Sequence, residues 1–164
     1  MINAKGRLFF FSVAAQGLSL ILMTLPFSYG MTFAAGPDHF PVMTTSYFNF
    51  LIIGYGMWAP LFTTVFTVIW LIASAVYGVV RAANGRKGKK TGLPGFLLLL
   101  GGLDLLCALL CIFFSNPILI VTVLIGLLLL GALVLQGLYC KRIADVRKAV
   151  SLYRHDKKRN NYKM

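Results

Sequence analysis

One carboxyl side chain, that of Asp104, lies inside a long apolar segment of this 164-residue sequence. Counting from Pro94 at about 1.5 Å per helical residue places Asp104 roughly 15 Å deep, near the midplane of a bilayer. An unpaired carboxylate costs at least about 2.5 kcal/mol at this depth. We therefore expect Asp104 to be protonated, hydrogen-bonded or open to water, and it is the leading candidate for a functional site.

Two further polar side chains reach a similar depth. Gln16 lies about 12 Å into the first apolar segment and Ser74 about 9 Å from the end of the second. A cluster of Asp104, Gln16 and Ser74 suits two roles. One is a proton- or cation-responsive carboxyl in a small transporter or channel, and the other is a neutral Asp104 hydrogen-bonded to Gln16 that holds two helices together. A second membrane carboxylate, typical of proton relays, is missing from the sequence.

Other chemistry finds little support in the sequence. There is no HExxH, GxSxG or CxxC motif, and His39 and His155 have no partner at metal-ligand spacing. Cys107 and Cys111 can share one helix face, but two thiols alone make a poor metal site and fit the role of small apolar filler. Cys140, at the end of the fourth apolar segment, is a candidate for acylation. We expect no enzyme activity, no metal and no cofactor.

Four apolar segments must position these residues, and we predict that they span the membrane over residues 8–29, 58–80, 94–114 and 117–139. The chain is 59% apolar with a mean hydropathy of +0.81, and it is too short to bury four such segments in a soluble core. The sequence therefore predicts an all-α polytopic membrane protein with four transmembrane helices. Pro60 and Pro94 suit first helical turns, and the tight turn Ser115-Asn116-Pro117 predicts an antiparallel hairpin of the third and fourth spans.

Basic residues indicate the orientation. All 16 Lys and Arg residues fall within residues 5–7, 81–90 and 141–163. Because cytoplasmic loops retain Lys and Arg, we predict cytoplasmic N and C termini and a cytoplasmic middle loop, in the plasma membrane. The net charge of +12 borders the spans, which favours anionic lipid headgroups rather than nucleic acid as the partner.

Two segments outside the spans have a distinctive composition. Residues 40–57 are rich in aromatic residues and are expected to lie along the outer interface or to fold back over the bundle. The interface candidates are Tyr47, Phe48, Tyr55 and Trp58. Residues 141–153 place an apolar stripe on a basic helix, which is expected to lie on the inner membrane surface. The lipid-binding candidates there are Lys141, Arg142, Arg147 and Lys148, and residues 154–164 form a basic, mobile tail.

A short part of the sequence resembles a known group of proteins. The pieces Ser46-Tyr47-Phe48-Asn49, Gly54-Tyr55-Gly56 and Trp58-Ala59-Pro60-Leu61-Phe62-Thr63 resemble uncharacterised four-span proteins of Gram-positive bacteria. This resemblance implies the four-span fold and no particular activity. Tetraspanins and claudins differ because their outer loops carry cysteines. The small multidrug-resistance exporters differ because they use a glutamate in the first span, and this sequence has no Glu.

These features favour a non-enzymatic role. The leading expectation is an accessory or oligomer-forming membrane subunit, in a homo-oligomer or a larger complex, whose tail binds anionic lipid or a cytoplasmic partner. The alternative is a small ion- or proton-coupled transporter or channel that uses Asp104.

Overall fold

The computed structural model describes residues 4–32, 42–48, 58–86, 94–115 and 118–161. Within these ranges the chain forms four helices and two short strands: α1 (Ala4–Met23), β1 (Tyr29–Thr32), β2 (Val42–Thr45), α2 (Trp58–Arg86), α3 (Pro94–Phe114) and α4 (Ile120–Asn161). Each of the four helices contains a stretch long and apolar enough to cross a membrane. The predicted all-α class with four membrane-length helices is therefore confirmed.

The four helices pack as a closed bundle. α1 lies against α4, α4 against α3, α3 against α2, and α2, less closely, against α1. Consequently α1 and α3 lie diagonally across the bundle from each other. The predicted antiparallel contact of the third and fourth spans is confirmed, since Gly126 of α4 faces Ile112, and Gly137 faces Leu98.

The interior of the bundle contains hydrogen-bonding side chains as well as apolar ones, and its exterior is apolar. On α1, Ser12, Gln16 and Ser19 are buried, whereas Phe10 and Ile21 are exposed. The same division recurs on the other helices, whose exposed faces carry mainly Leu, Ile, Val and Phe. Lipid tails are as apolar as leucine, so such a chain gains most by turning its hydrogen-bonding side chains toward one another and its aliphatic side chains outward.

The first helix ends at Met23, short of the predicted span limit near residue 29, which agrees with the kink or early helix end that Pro26 predicts. The N–H groups of Thr24 and Leu25 bond to carbonyls three residues back, at 3.1 and 3.2 Å, which marks a tight final turn. Pro26 lacks an N–H and disfavours helical geometry at Leu25, so the helix cannot continue. The chain then enters β1, which pairs antiparallel with β2.

The fourth helix differs from the prediction at both ends. It begins at Ile120 rather than at 117, and it continues through Asn161 rather than ending at a mobile tail. Its 42 residues correspond to about 63 Å. Because no Pro or Gly follows Gly137 in this helix, only gentle curvature is expected. The basic extension is therefore continuous with the apolar part of α4.

A close contact of α2 with α3 depends on Gly101. A Cβ atom at Gly101 would lie 2.5 Å from Cζ2 of Trp70 and 2.9 Å from Cδ1 of Leu133, whereas nothing lies within 4 Å of one at Gly102. We expect Gly101→Ala to lower the free energy of unfolding by about 1–3 kcal/mol through overpacking. Gly102→Ala, the adjacent control, should raise it by about 0.5–1 kcal/mol, because alanine favours a helix interior over glycine. Detergent unfolding followed by circular dichroism measures both, and equal effects would contradict the seating of Trp70 on Gly101.

Candidate functional site

Asp104 is wholly buried in the bundle, with 0% of its surface exposed. Its carboxyl oxygens lie 2.8 and 3.0 Å from Oγ1 of Thr67 on α2, the helix that packs against α3. Within the described part of the chain, no Lys, Arg or His side chain forms an ion pair with Asp104. The carboxyl is thus held by one hydroxyl in an interior without a balancing positive charge.

The Thr67 hydroxyl has more acceptors than protons. Its Oγ1 also lies 2.8 Å from the carbonyl oxygen of Thr63, one turn back on α2. A hydroxyl carries a single proton, so it cannot donate to the Thr63 carbonyl and to a carboxylate together. When the Thr67 hydroxyl donates to the Thr63 carbonyl, Asp104 must be protonated and donate its own proton to Oγ1 of Thr67. When Asp104 is ionised, the Thr67 hydroxyl must donate to the carboxylate instead of the Thr63 carbonyl. The pair therefore has two hydrogen-bond arrangements that differ by one proton.

Small polar side chains continue from this pair toward the end of the bundle that carries β1 and β2, here called the hairpin end. Oγ1 of Thr63 lies 3.2 Å from Sγ of the buried Cys111. Beyond them, the Tyr47 hydroxyl faces Cys111 and Thr122 without a hydrogen bond of good geometry. The Thr122 hydroxyl donates to the carbonyl of Ser28 at 2.6 Å. These polar groups lie between Asp104 and the hairpin end.

Two buried tyrosines close the hairpin end. The rings of Tyr29 and Tyr47 meet edge to face with centroids 5.9 Å apart, and the N–H of Tyr47 donates to the carbonyl of Met23 at 3.1 Å. Burial raises the pKa of Tyr29 to about 12 and also raises the pKa of Tyr47, so both phenols stay neutral near pH 7. Of the two positions expected for the segment that contains Tyr47, the outer interface and the surface of the bundle, this side chain takes the second: it is 1% exposed and packs over the bundle.

A second polar group lies toward the opposite end, here called the basic end. The indole N–H of Trp70 donates to Oε1 of Gln136 at 2.8 Å, and Nε2 of Gln136 donates to the Ser74 hydroxyl at 3.1 Å. All three side chains are wholly buried. The predicted cluster of Ser74 with Asp104 is therefore wrong, because Gln136 reaches across from α4 and takes the Ser74 hydroxyl.

Trp70 separates the two polar groups. It follows Thr67 by one helical turn on α2, and its ring lies on Gly101, one turn before Asp104 on α3. The indole is the largest wholly buried side chain in the described part of the chain. The indole separates Asp104 from Ser74 and Gln136 on the basic side, while the hydroxyls of Thr63 and Thr67 lie toward the hairpin end.

Gln16 is buried without a partner. It is 0% exposed, and neither its Oε1 nor its Nε2 atom has a hydrogen-bond partner in the structure. The predicted hydrogen bond from Gln16 to Asp104 is wrong, because α1 packs on α4, where the Ser12 hydroxyl donates to the carbonyl of Ala132 at 2.9 Å. Thr67 on the adjacent helix α2 forms the hydrogen bond to Asp104 instead. An unsatisfied buried amide costs about 1–3 kcal/mol, so Gln16 is the least satisfied polar group of the interior.

Comparison with known proteins gives no assignment. No protein-family model, no curated protein and no solved structure matches this chain. The function must therefore be inferred from the chemistry of the interior.

The remaining candidate residues lie apart from this interior. Phe48 and Trp58 are 38% and 56% exposed near the hairpin end, in keeping with interfacial positions, and Tyr55 lies outside the described residues. Lys141 and Arg142 are exposed on α4, and the same helix continues past them through Arg147 and Lys148. No group of three His, Cys, Asp or Glu within the described ranges could hold a metal ion.

Proposed function

We propose that this protein is a small proton channel or proton uniporter of the membrane in which Asp104 binds the transported proton. The observation that carries this proposal is the contact of Asp104 with Thr67, where two hydrogen-bond arrangements differ by one proton. A carboxyl without a balancing cation in a water-poor interior favours its neutral form. Proton transfer through the neighbouring hydroxyls would allow it to ionise transiently.

The surroundings of Asp104 fit a proton better than a metal cation. Hard cations such as calcium take about six to eight oxygen ligands, and magnesium requires a near-octahedral set. Here the carboxyl meets a single side-chain hydroxyl, that of Thr67. With the orientation expected from the basic residues, protons would reach Asp104 from outside along Thr63 and Cys111. Displacement of Trp70 would then connect Asp104 to the cytoplasmic side.

A second candidate function is an accessory or oligomer-forming subunit of the plasma membrane. It is favoured by the length of α4, which continues 16 residues past the end of its membrane-length stretch at Asp145. Such a basic helical extension offers a surface to anionic lipid or a cytoplasmic partner, and Lys141 and Arg142 at its base are exposed. This role does not require Asp104 to exchange its proton.

Flux measurements in proteoliposomes test the proposal. Purified protein is reconstituted with an internal pH-sensitive dye, and an imposed pH gradient is expected to decay several-fold faster than in protein-free vesicles. Sodium or potassium gradients at constant pH serve as the control and should decay at the protein-free rate. Proton decay no faster than in protein-free vesicles would end the transport proposal, and copurification of a defined membrane complex would then favour the subunit.

A further inference from the structure

Arg81 has a fixed position at the basic end of the bundle. Its Nη1 atom donates to the Tyr77 hydroxyl at 3.3 Å, and its guanidinium carbon lies 5.0 Å from the centre of the Tyr139 ring. Phe9 of α1 packs against both rings, with centroid distances of 5.8 Å to Tyr77 and 5.1 Å to Tyr139. Side chains from α1, α2 and α4 therefore hold one arginine in place.

The charge of Arg81 is not balanced within the described part of the chain, where no Asp side chain forms an ion pair with it. A guanidinium has five N–H donors, and the Tyr77 hydroxyl accepts from only one nitrogen. The nearby acidic residue of α4 is Asp145, which is exposed and lies about one turn beyond Lys141 and Arg142. Those two cations outnumber it, so this end retains a surplus of positive charge.

Arg81 also lies close to the end of an apolar stretch of membrane-spanning length. The membrane-length stretch of α2 ends at Ala83, two residues beyond Arg81. Just before Arg81, Val79 and Val80 are exposed, as is Leu138 beside Tyr139 on α4. An aliphatic surface next to a guanidinium matches an acyl chain next to a phosphate.

We propose that Arg81, with Lys141 and Arg142, forms a specific binding site for the phosphate of an anionic phospholipid. The planar guanidinium binds phosphate through two parallel hydrogen bonds, and its stacking on Tyr139 keeps that fork oriented. Lys141 and Arg142 supply further charge at the same end, while Val80 and Leu138 contact the acyl chains. This inference is independent of proton transport at Asp104.

Native mass spectrometry of detergent-solubilised protein tests the site, with phosphatidylglycerol and phosphatidylcholine offered together. Wild-type protein should retain phosphatidylglycerol preferentially, and Arg81→Gln should lose most of that preference. Arg81→Lys, which keeps the charge without the fork, should show an intermediate preference. The charge-matched control is Arg7→Gln, which is exposed on α1 and lies outside the proposed site, and it should bind as wild type does.

Three results would overturn the site. If Arg81→Lys and Arg81→Gln both keep the full preference for phosphatidylglycerol, the guanidinium of Arg81 has no role in binding. If Arg81→Gln does not fold, the result for Arg81→Lys alone decides this question. Equal losses in Arg81→Gln and Arg7→Gln would indicate diffuse attraction by net charge. Displacement of the lipid by inorganic phosphate at equal concentration would show that a free anion, rather than a phospholipid, is the ligand.

Discussion

Asp104→Asn is expected to reduce proton flux to the protein-free rate while leaving the helical fold intact. The asparagine side chain has the size of the aspartate and can donate an N–H to Oγ1 of Thr67, so the contact between α2 and α3 survives. It cannot bind and release a proton at neutral pH. We therefore expect complete loss of flux with a change in unfolding free energy of about 1 kcal/mol or less. Proteoliposome flux and circular dichroism of the same preparation measure the two quantities.

The matched control for this variant is Asp145→Asn. It removes the same charge from an exposed position on α4 and should leave proton flux unchanged. A flux in Asp104→Asn equal to that of the wild type would exclude Asp104 as the proton-binding group. Equal reductions in both variants would mean that overall charge, rather than the buried carboxyl, determines the rate.

Opposite changes in stability are expected from the two buried glutamines. Gln136→Leu leaves the indole N–H of Trp70 without its acceptor and should lower the free energy of unfolding by about 1–3 kcal/mol. Gln16→Leu removes an amide that has no partner in the structure and should raise it by a similar amount, about 1–3 kcal/mol. The two substitutions are chemically identical, so they differ only in the hydrogen bonds that they remove. Unfolding by a denaturing detergent, followed by circular dichroism, compares them directly.

The effect of Gln16→Leu on proton flux adds a second test of how Gln16 differs from Gln136. Buried polar groups without protein partners commonly bind internal water. A water bound to Gln16 would be such a partner, and Gln16→Leu should then lose stability and carry protons more slowly. Destabilisation of Gln16→Leu equal to that of Gln136→Leu would contradict the unpartnered state of Gln16.

The sequence predicts the helices well because apolar length is a local property. Hydropathy locates all four, and the depth of Asp104 follows from counting residues. Its partner does not follow, since depth gives a level in the membrane but not which helices are neighbours. Gln16 and Thr67 have comparable depths, and only the packing order of the bundle places Thr67 beside Asp104 and α1 diagonally opposite. Thr67 itself resembles an ordinary helical threonine that bonds to its own backbone.

The hairpin end was harder to predict for a related reason. The apolar run of the first segment continues through Leu25 and Phe27, so hydropathy does not register the end of α1 at Met23. Pairing of β1 with β2 joins residues far apart in sequence, such as Tyr29 and Thr45, and leaves no periodic pattern. Tyr47 carries the polar edge expected of an interfacial residue, but its ring is buried against Tyr29 at the end of the bundle.

The unbroken α4 has a mechanical consequence. Gln136, which holds Trp70, belongs to the same rigid rod as the segment that extends beyond Asp145. That segment is about 24 Å long, so a tilt of about 10° would swing its tip by about 4 Å. A small tilt at the centre of the bundle would therefore become a larger displacement at the far end of α4.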